Sequence, residues 1–148
     1  MIDVGDPFPS FSLQAQDGNT YSNTDFLGAK RVIFFYPKDD TPGCTTEACE
    51  FRDADAVKDQ IIGVSPDPVK SHQKFAKKFE LPFLLLADTE KELCSALGIW
   101  IEKSLYGRKY MGVDRTTYLI DEQGIVRAVW RKVKPEGHAA EVLKALLD

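Results

Sequence analysis

The chain has 148 residues, and 19 Lys and Arg against 23 Asp and Glu give a formal charge of −4. That length suits one domain with a substantial core, so residues 1–148 are read as a single domain. Hydrophobic residues at 43% and charged residues at 28% exclude disordered and collagen-like classes, and the acidic balance argues against nucleic acid or an anionic membrane as partner.

Phe11, Leu13 and Ala15 alternate with polar residues up to the Asp17-Gly18 turn, predicting a strand with Thr20-Tyr21-Ser22 as its hairpin partner. Val32 to Tyr36 is a β-branched and aromatic run of the kind buried on both faces of a sheet, and Pro37 ends it. Thr41 suits an N-cap and Pro42 the first helical position, predicting a helix to about Lys58 with Cys44, Ala48, Phe51 and Val57 on one side. Ile61 to Val64 is the next strand. Asp67-Pro68 repeats the cap-plus-proline start for an amphipathic helix through Phe75 and Phe79. Lys74, Lys77 and Lys78 form its wet face, and His72 and His138 are expected on solvated helix surfaces. Phe83 to Leu86 reads as another buried strand, after which Asp88 caps a short helix through Leu93 and Leu97 that stops at Gly98. Thr116 to Ile120, the turn Asp121 to Gly124, and Ile125 to Arg131 predict a hairpin, followed by a helix from about Gly137 to Leu147. The order implies an α/β domain with a central mixed sheet flanked by helices, compatible with a thioredoxin-like fold into which Phe83 to Gly98 is inserted.

Three cysteines are too few for a disulfide scaffold, and no apolar run nears the ~18 residues of a membrane span. The acidic amino terminus lacks the basic and apolar parts of a signal peptide, so a cytoplasmic protein is expected. Cys44 would lie in the first turn of its helix, where free N–H groups and the helix dipole enrich the nucleophilic thiolate. Asp39 and Asp40 oppose this by charge, so a nearby cation is needed; Arg115 is the first candidate and Lys38 the second. The bland alternative is that Cys44 is an inert small hydrophobe behind a helix cap. Cys49, five residues on, makes a poor zinc pair with Cys44, because no second cysteine pair exists and the two histidines lie elsewhere. A resting disulfide also fails: five residues of helix separate the Cα atoms by roughly 8.7 Å, beyond the ~7 Å a disulfide tolerates. Cys94, beside Leu93 and Leu97, reads as a packing residue.

The run from Phe35 to Cys49, FYPKDDTPGCTTEAC, closely resembles the active-site segment of the peroxiredoxins, and most of all their PrxQ or bacterioferritin comigratory protein branch. Pro37, Thr41 and Cys44 match the family's proline, threonine and peroxidatic cysteine, Cys49 the branch's resolving cysteine, and Arg115 in VDRTTYLID the family arginine. Gly98-Ile99-Trp100 and the Asp121 to Gly124 turn extend the resemblance over essentially the whole chain. It implies a thioredoxin-like fold with an N-terminal hairpin and a peroxiredoxin-type insertion. It also implies reduction of hydrogen peroxide and organic hydroperoxides through a Cys44 sulfenic acid and a transient Cys44–Cys49 disulfide. In this reading Thr41, Arg115 and the backbone N–H groups of Gly43 and Cys44 donate to the peroxide, and Pro37 shields the pocket. A thioredoxin-type dithiol re-reduces the protein, no metal or other cofactor is used, and a monomer is expected. Taken singly, Thr41 can be only an N-cap, Pro37 only a strand terminator and Arg115 only a surface charge. Some relatives place the resolving cysteine on the helix that here carries Cys94. A redox sensor or holdase without efficient turnover is the alternative function, and a disulfide reductase the third.

Overall fold

The computed structural model describes residues 1–148. Seven strands form one mixed sheet: β1 (Ser12–Ala15), β2 (Thr20–Ser22), β3 (Arg31–Phe35), β4 (Ile61–Ser65), β5 (Leu84–Ala87), β8 (Thr116–Ile120) and β9 (Val126–Trp130). Their order across the sheet is β2-β1-β5-β4-β3-β8-β9. The central β3, β4 and β5 run parallel, and the hairpins β1–β2 and β8–β9 extend them antiparallel. The segment from Phe83 to Gly98 thus supplies a full strand of the sheet, since β5 pairs with both β4 and β1.

Alternation along β3 divides the core. Val32, Phe34 and Tyr36 face one side, where they pack with Phe51 of α1 (Pro42–Arg52), Phe75 of α2 (Val69–Phe79) and Val142 of α4 (His138–Leu147). Ile33 and Phe35 face the other, against Leu93 and Cys94 of α3 (Glu92–Ala96) and the aromatic residues Phe8 and Phe26. Gly63 in β4 is required by this packing, because a Cβ there would lie 2.8 Å from Leu85 Cδ2 and 2.9 Å from Phe34 Cζ. No helix is long and apolar enough to cross a membrane.

Several local expectations need correction. The helix carrying Cys44 ends at Arg52, not near Lys58; the chain turns at Asp53 and continues as a kinked 3-10 segment, Asp55–Gln60, in which Val57 leaves helical geometry. Asp67 does not cap α2, whose N-cap is Pro68; its carboxylate is turned toward Asp39 N and Ser65 Oγ. His72 and His138 are buried rather than solvated, each held by hydrogen bonds inside the protein. Finally, residues 100–113, for which the sequence predicts no element, form a separate hairpin of β6 (Trp100–Leu105) and β7 (Arg108–Val113). The N-cap position of α3 is Lys91 rather than Asp88, but the Asp88 carboxylate still accepts from the N–H groups of Leu93 and Cys94 in the first turn.

Candidate active site

Sheet register brings the expected residues together. Phe35 of β3 lies opposite Thr116 of β8, so Arg115, one residue before β8, stands beside the loop that leaves β3. That loop runs through half-exposed Pro37 to the N-cap at Thr41, and Cys44 occupies the third position of α1. Cys44 is only 1% exposed, and Arg115 Nη2 lies 3.3 Å from its Sγ. The guanidinium thus sets a positive charge and an N–H donor directly against the sulfur. Lys38, the second candidate cation, is exposed, and the hydrogen bond to the Cys44 sulfur comes from Arg115 instead. The two aspartates expected to oppose the thiolate face away from it: Asp39 is bonded to His72 and Asp40 to Lys78.

Thr41 has the extended backbone of an N-cap, yet its side chain does not cap the helix. Its Oγ1 instead donates to Lys38 O at 2.8 Å. Two consequences follow for the site. The N–H groups of Gly43 and Cys44 have no hydrogen-bond partner in the chain, and they point out of the helix start. The Thr41 hydroxyl hydrogen is already engaged, so its oxygen offers lone pairs rather than a donor. Gly43 is closely packed: a Cβ there would lie 3.2 Å from Pro135 Cγ and 3.3 Å from Arg115 Nη2, so these side chains would have to shift slightly to admit one.

Glu47 is a site residue that the sequence alone does not single out. It sits three positions after Cys44 on the same buried face of α1, and its Oε1 accepts from Arg115 Nη1 at 2.7 Å. Arg115 is therefore a bridge, one branch on Glu47 and the other on Cys44. Burial pushes the Glu47 carboxyl up to about 7, against the opposing pull of Arg115, and Oε2 has no partner in the chain. The i,i+3 spacing from Cys44 was the available signal, since it places Glu47 on the face that carries the thiol.

Cys49 lies on the same helix, half-buried, and all three cysteines are free thiols. Burial raises the Cys49 thiol above its ordinary value, with Arg52 pulling the other way, so the folded helix keeps it protonated. Cys94 is fully buried, and burial first, then Asp88, holds its thiol far above the usual range. Such a thiol is inert while the core is closed. Asp39, Asp67 and His72 lie within 4.8 Å of one another, a spacing that would suit a metal ion. Their facing oxygens, however, already accept from protein donors: Ser71 and His72 on Asp39, Ser65 and the Asp39 N–H on Asp67.

Residues 4–129 match the model of the AhpC/TSA family. The chain is 47% identical to the putative peroxiredoxin bcp of Coxiella burnetii, covering 98% of this chain and 99% of that one. It is also 47% identical to the peroxiredoxin Bcp of Bacillus subtilis, over 99% and 96% of the two chains. Among solved structures, the bacterioferritin comigratory protein of Xanthomonas campestris superposes with a TM-score of 0.88 at 38% identity, over 99% of this chain and 96% of that one. A cysteine-to-serine mutant of Xylella fastidiosa PrxQ gives 0.91 at 34% identity, with the same coverage.

Proposed function

The chain belongs to the AhpC/TSA family, and from that premise we propose that Cys44 is the peroxidatic cysteine of the site described above. The protein is a thiol-dependent peroxidase with a thioredoxin-like fold. In our reading the Cys44 thiolate attacks one peroxide oxygen, forming an S–O bond as the O–O bond breaks. The departing oxygen takes a proton and leaves as water or alcohol. Charge grows on that oxygen, and the Gly43 and Cys44 N–H groups with Arg115 are donors set in advance for it. Thr41 accepts from the peroxide O–H, and Pro37 limits water at the mouth of the pocket.

The product is a sulfenic acid on Cys44, which condenses with the Cys49 thiol to a disulfide and releases water. Two electrons and two protons from a dithiol restore both thiols. The family's reductant is of the thioredoxin type, and we assign that donor here. Organic hydroperoxides are included among the substrates, with support from the Xanthomonas campestris relative, whose structures bear on alkyl peroxide reduction. We also read residues 1–148 as one domain acting as a cytoplasmic monomer, without nucleic acid, membrane or cofactor. Two core clusters on opposite faces of one sheet, the charge of −4 and the three free thiols support that reading.

The observation that carries the assignment is the 3.3 Å contact between Arg115 Nη2 and a thiol at a helix start. Steady-state peroxide consumption with thioredoxin and its reductase tests it. Wild type should turn over and Cys44→Ser should not. A single equivalent of thiol consumed, with no turnover, would instead make the protein a sensor.

A further inference from the structure

The loop between Pro37 and Cys44 is fixed by a residue outside the peroxide pocket. Asp39, two positions before Thr41, is 8% exposed and is bonded from four directions. Its Oδ1 accepts from Tyr36 Oη at 2.6 Å, and its Oδ2 faces Ser71 Oγ at 2.7 Å and His72 Nδ1 at 2.7 Å. Its N–H donates to Asp67 Oδ2 at 2.8 Å. The next residue, Asp40, has φ of 57°, a left-handed conformation that a non-glycine residue keeps only when its surroundings hold it.

His72, like Tyr36, is fully buried. Its second nitrogen, Nε2, lies 2.9 Å from the carbonyl oxygen of Leu86 in β5. A carbonyl oxygen can only accept, so Nε2 carries a proton. A proton must also lie between Nδ1 and Oδ2, because two lone pairs 2.7 Å apart would repel. Both carboxyl oxygens already accept from hydroxyls, Oδ1 from Tyr36 and Oδ2 from Ser71, so donors face the group on every side. The other charged groups nearby are engaged elsewhere: Asp67 on Asp39 N and Ser65, Asp40 on Lys78, and Asp88 on the start of α3.

The geometry points to His72 as a buried imidazolium whose Nδ1–H, held against Asp39, positions the peroxide-binding loop from Pro37 to Cys44. His72 touches neither peroxide nor Cys44; it acts through Asp39, and through Asp39 on the Thr41 oxygen and the Gly43 and Cys44 N–H groups. The inference rests on the assignment of Cys44 as the reacting thiol.

Asparagine and glutamine separate the two ring contacts, because Asn places an amide donor where Nδ1 stands and Gln places one where Nε2 stands. Three measurements are made on the reduced protein: 15N resonances of the two histidine rings, folding by circular dichroism, and stopped-flow oxidation of Cys44 by hydrogen peroxide. Both His72 nitrogens should resonate as protonated. His138, whose charged form burial disfavours, should show one protonated nitrogen and serve as internal reference. His72→Gln should slow Cys44 oxidation by about 10-fold or more, in the range expected for a loop misplaced by a fraction of an ångström to an ångström. His72→Asn should stay within about 3-fold of wild type, a difference too small to reflect lost positioning. An unprotonated Nδ1 overturns the inference, as does a folded His72→Gln that reacts at the wild-type rate. Should His72→Gln fail to fold, Ser71→Ala removes a donor from the same oxygen; a slowed rate supports the inference and an unchanged one overturns it. Wild type that does not oxidise at Cys44 overturns the peroxidase site itself, which is a separate result.

Discussion

Arg115 holds Glu47 with one branch of its guanidinium and Cys44 with the other, at 2.7 Å and 3.3 Å. The planar fork makes both contacts at fixed geometry, which a lysine ammonium on a flexible stem cannot reproduce. Arg115→Ala should therefore slow peroxide attack on Cys44 by ~10²-fold or more, by analogy with loss of one transition-state donor. Arg115→Lys should recover only part of that loss. Stopped-flow oxidation of the two variants measures both effects, and an unchanged rate in a folded Arg115→Ala would remove Arg115 from the chemistry.

Glu47 makes stability depend on pH in an unusual direction. Its carboxyl is raised from 4.5 to about 7 in the folded protein by burial, so the native state holds this proton more tightly than the unfolded chain. Between those values the unfolded chain binds fewer protons at this group, and its contribution to stability falls as pH rises. Below about 4.5 the contribution is fully present. Above about 7 it is lost, a difference of order a few kcal/mol across the window. Urea denaturation at pH 5 and pH 8 should show this fall in wild type, superimposed on other titrations, and a smaller one in Glu47→Gln. Equal slopes for both proteins would contradict a raised Glu47.

Cys94 should be dispensable for turnover. It is fully buried beside Leu93 and Leu97 on the sheet face opposite Cys44, in the other core cluster. Cys94→Ser should leave peroxide consumption within about 2-fold of wild type while burying an unmatched hydroxyl at a cost of about 1–3 kcal/mol. Loss of turnover in a variant that still folds would bring Cys94 into the redox cycle.

The helix that carries both proposed redox cysteines must open. With Cys44 and Cys49 on one continuous helix, roughly 8.7 Å separates their Cα atoms, and no disulfide spans that distance. Few bonds oppose opening at its start, because Thr41 does not cap it and Gly43 is a poor helix former. Amide hydrogen exchange over residues 44–52 should rise sharply on oxidation, and Cys49→Ser should remove the rise. Equal protection in both redox states would rule out unwinding.

Much of the fold is legible in the sequence where one physical signal dominates. The Val32 to Tyr36 run, the Asp121 to Gly124 turn and the loop before Cys44 each have strong local chemistry, and each is found where expected. Arg115 is placed by motif, and the β3–β8 register explains why it reaches Cys44 from a distant part of the chain. The β6–β7 hairpin escapes prediction because most of its residues are exposed on both faces, so neither strand alternates. Its one signal is Tyr106-Gly107, a two-residue turn in which both residues have positive φ. His72 is buried where solvation was expected, although Phe75 and Phe79 at i+3 and i+7 put it on the apolar face of α2. A buried ionisable residue gives no periodic signal of its own; its partner, Asp39 for His72 and Arg115 for Glu47, is visible only in three dimensions.

The most direct measurement is disulfide mapping after one equivalent of hydrogen peroxide is added to the fully reduced protein. Proteolysis under acid quench and mass spectrometry should recover a peptide linked between Cys44 and Cys49, with Cys94 present as a free thiol. A Cys44–Cys94 link would keep Cys44 as the peroxide-reacting thiol and move resolution to α3. A product in which Cys44 remains a free thiol would contradict the site altogether.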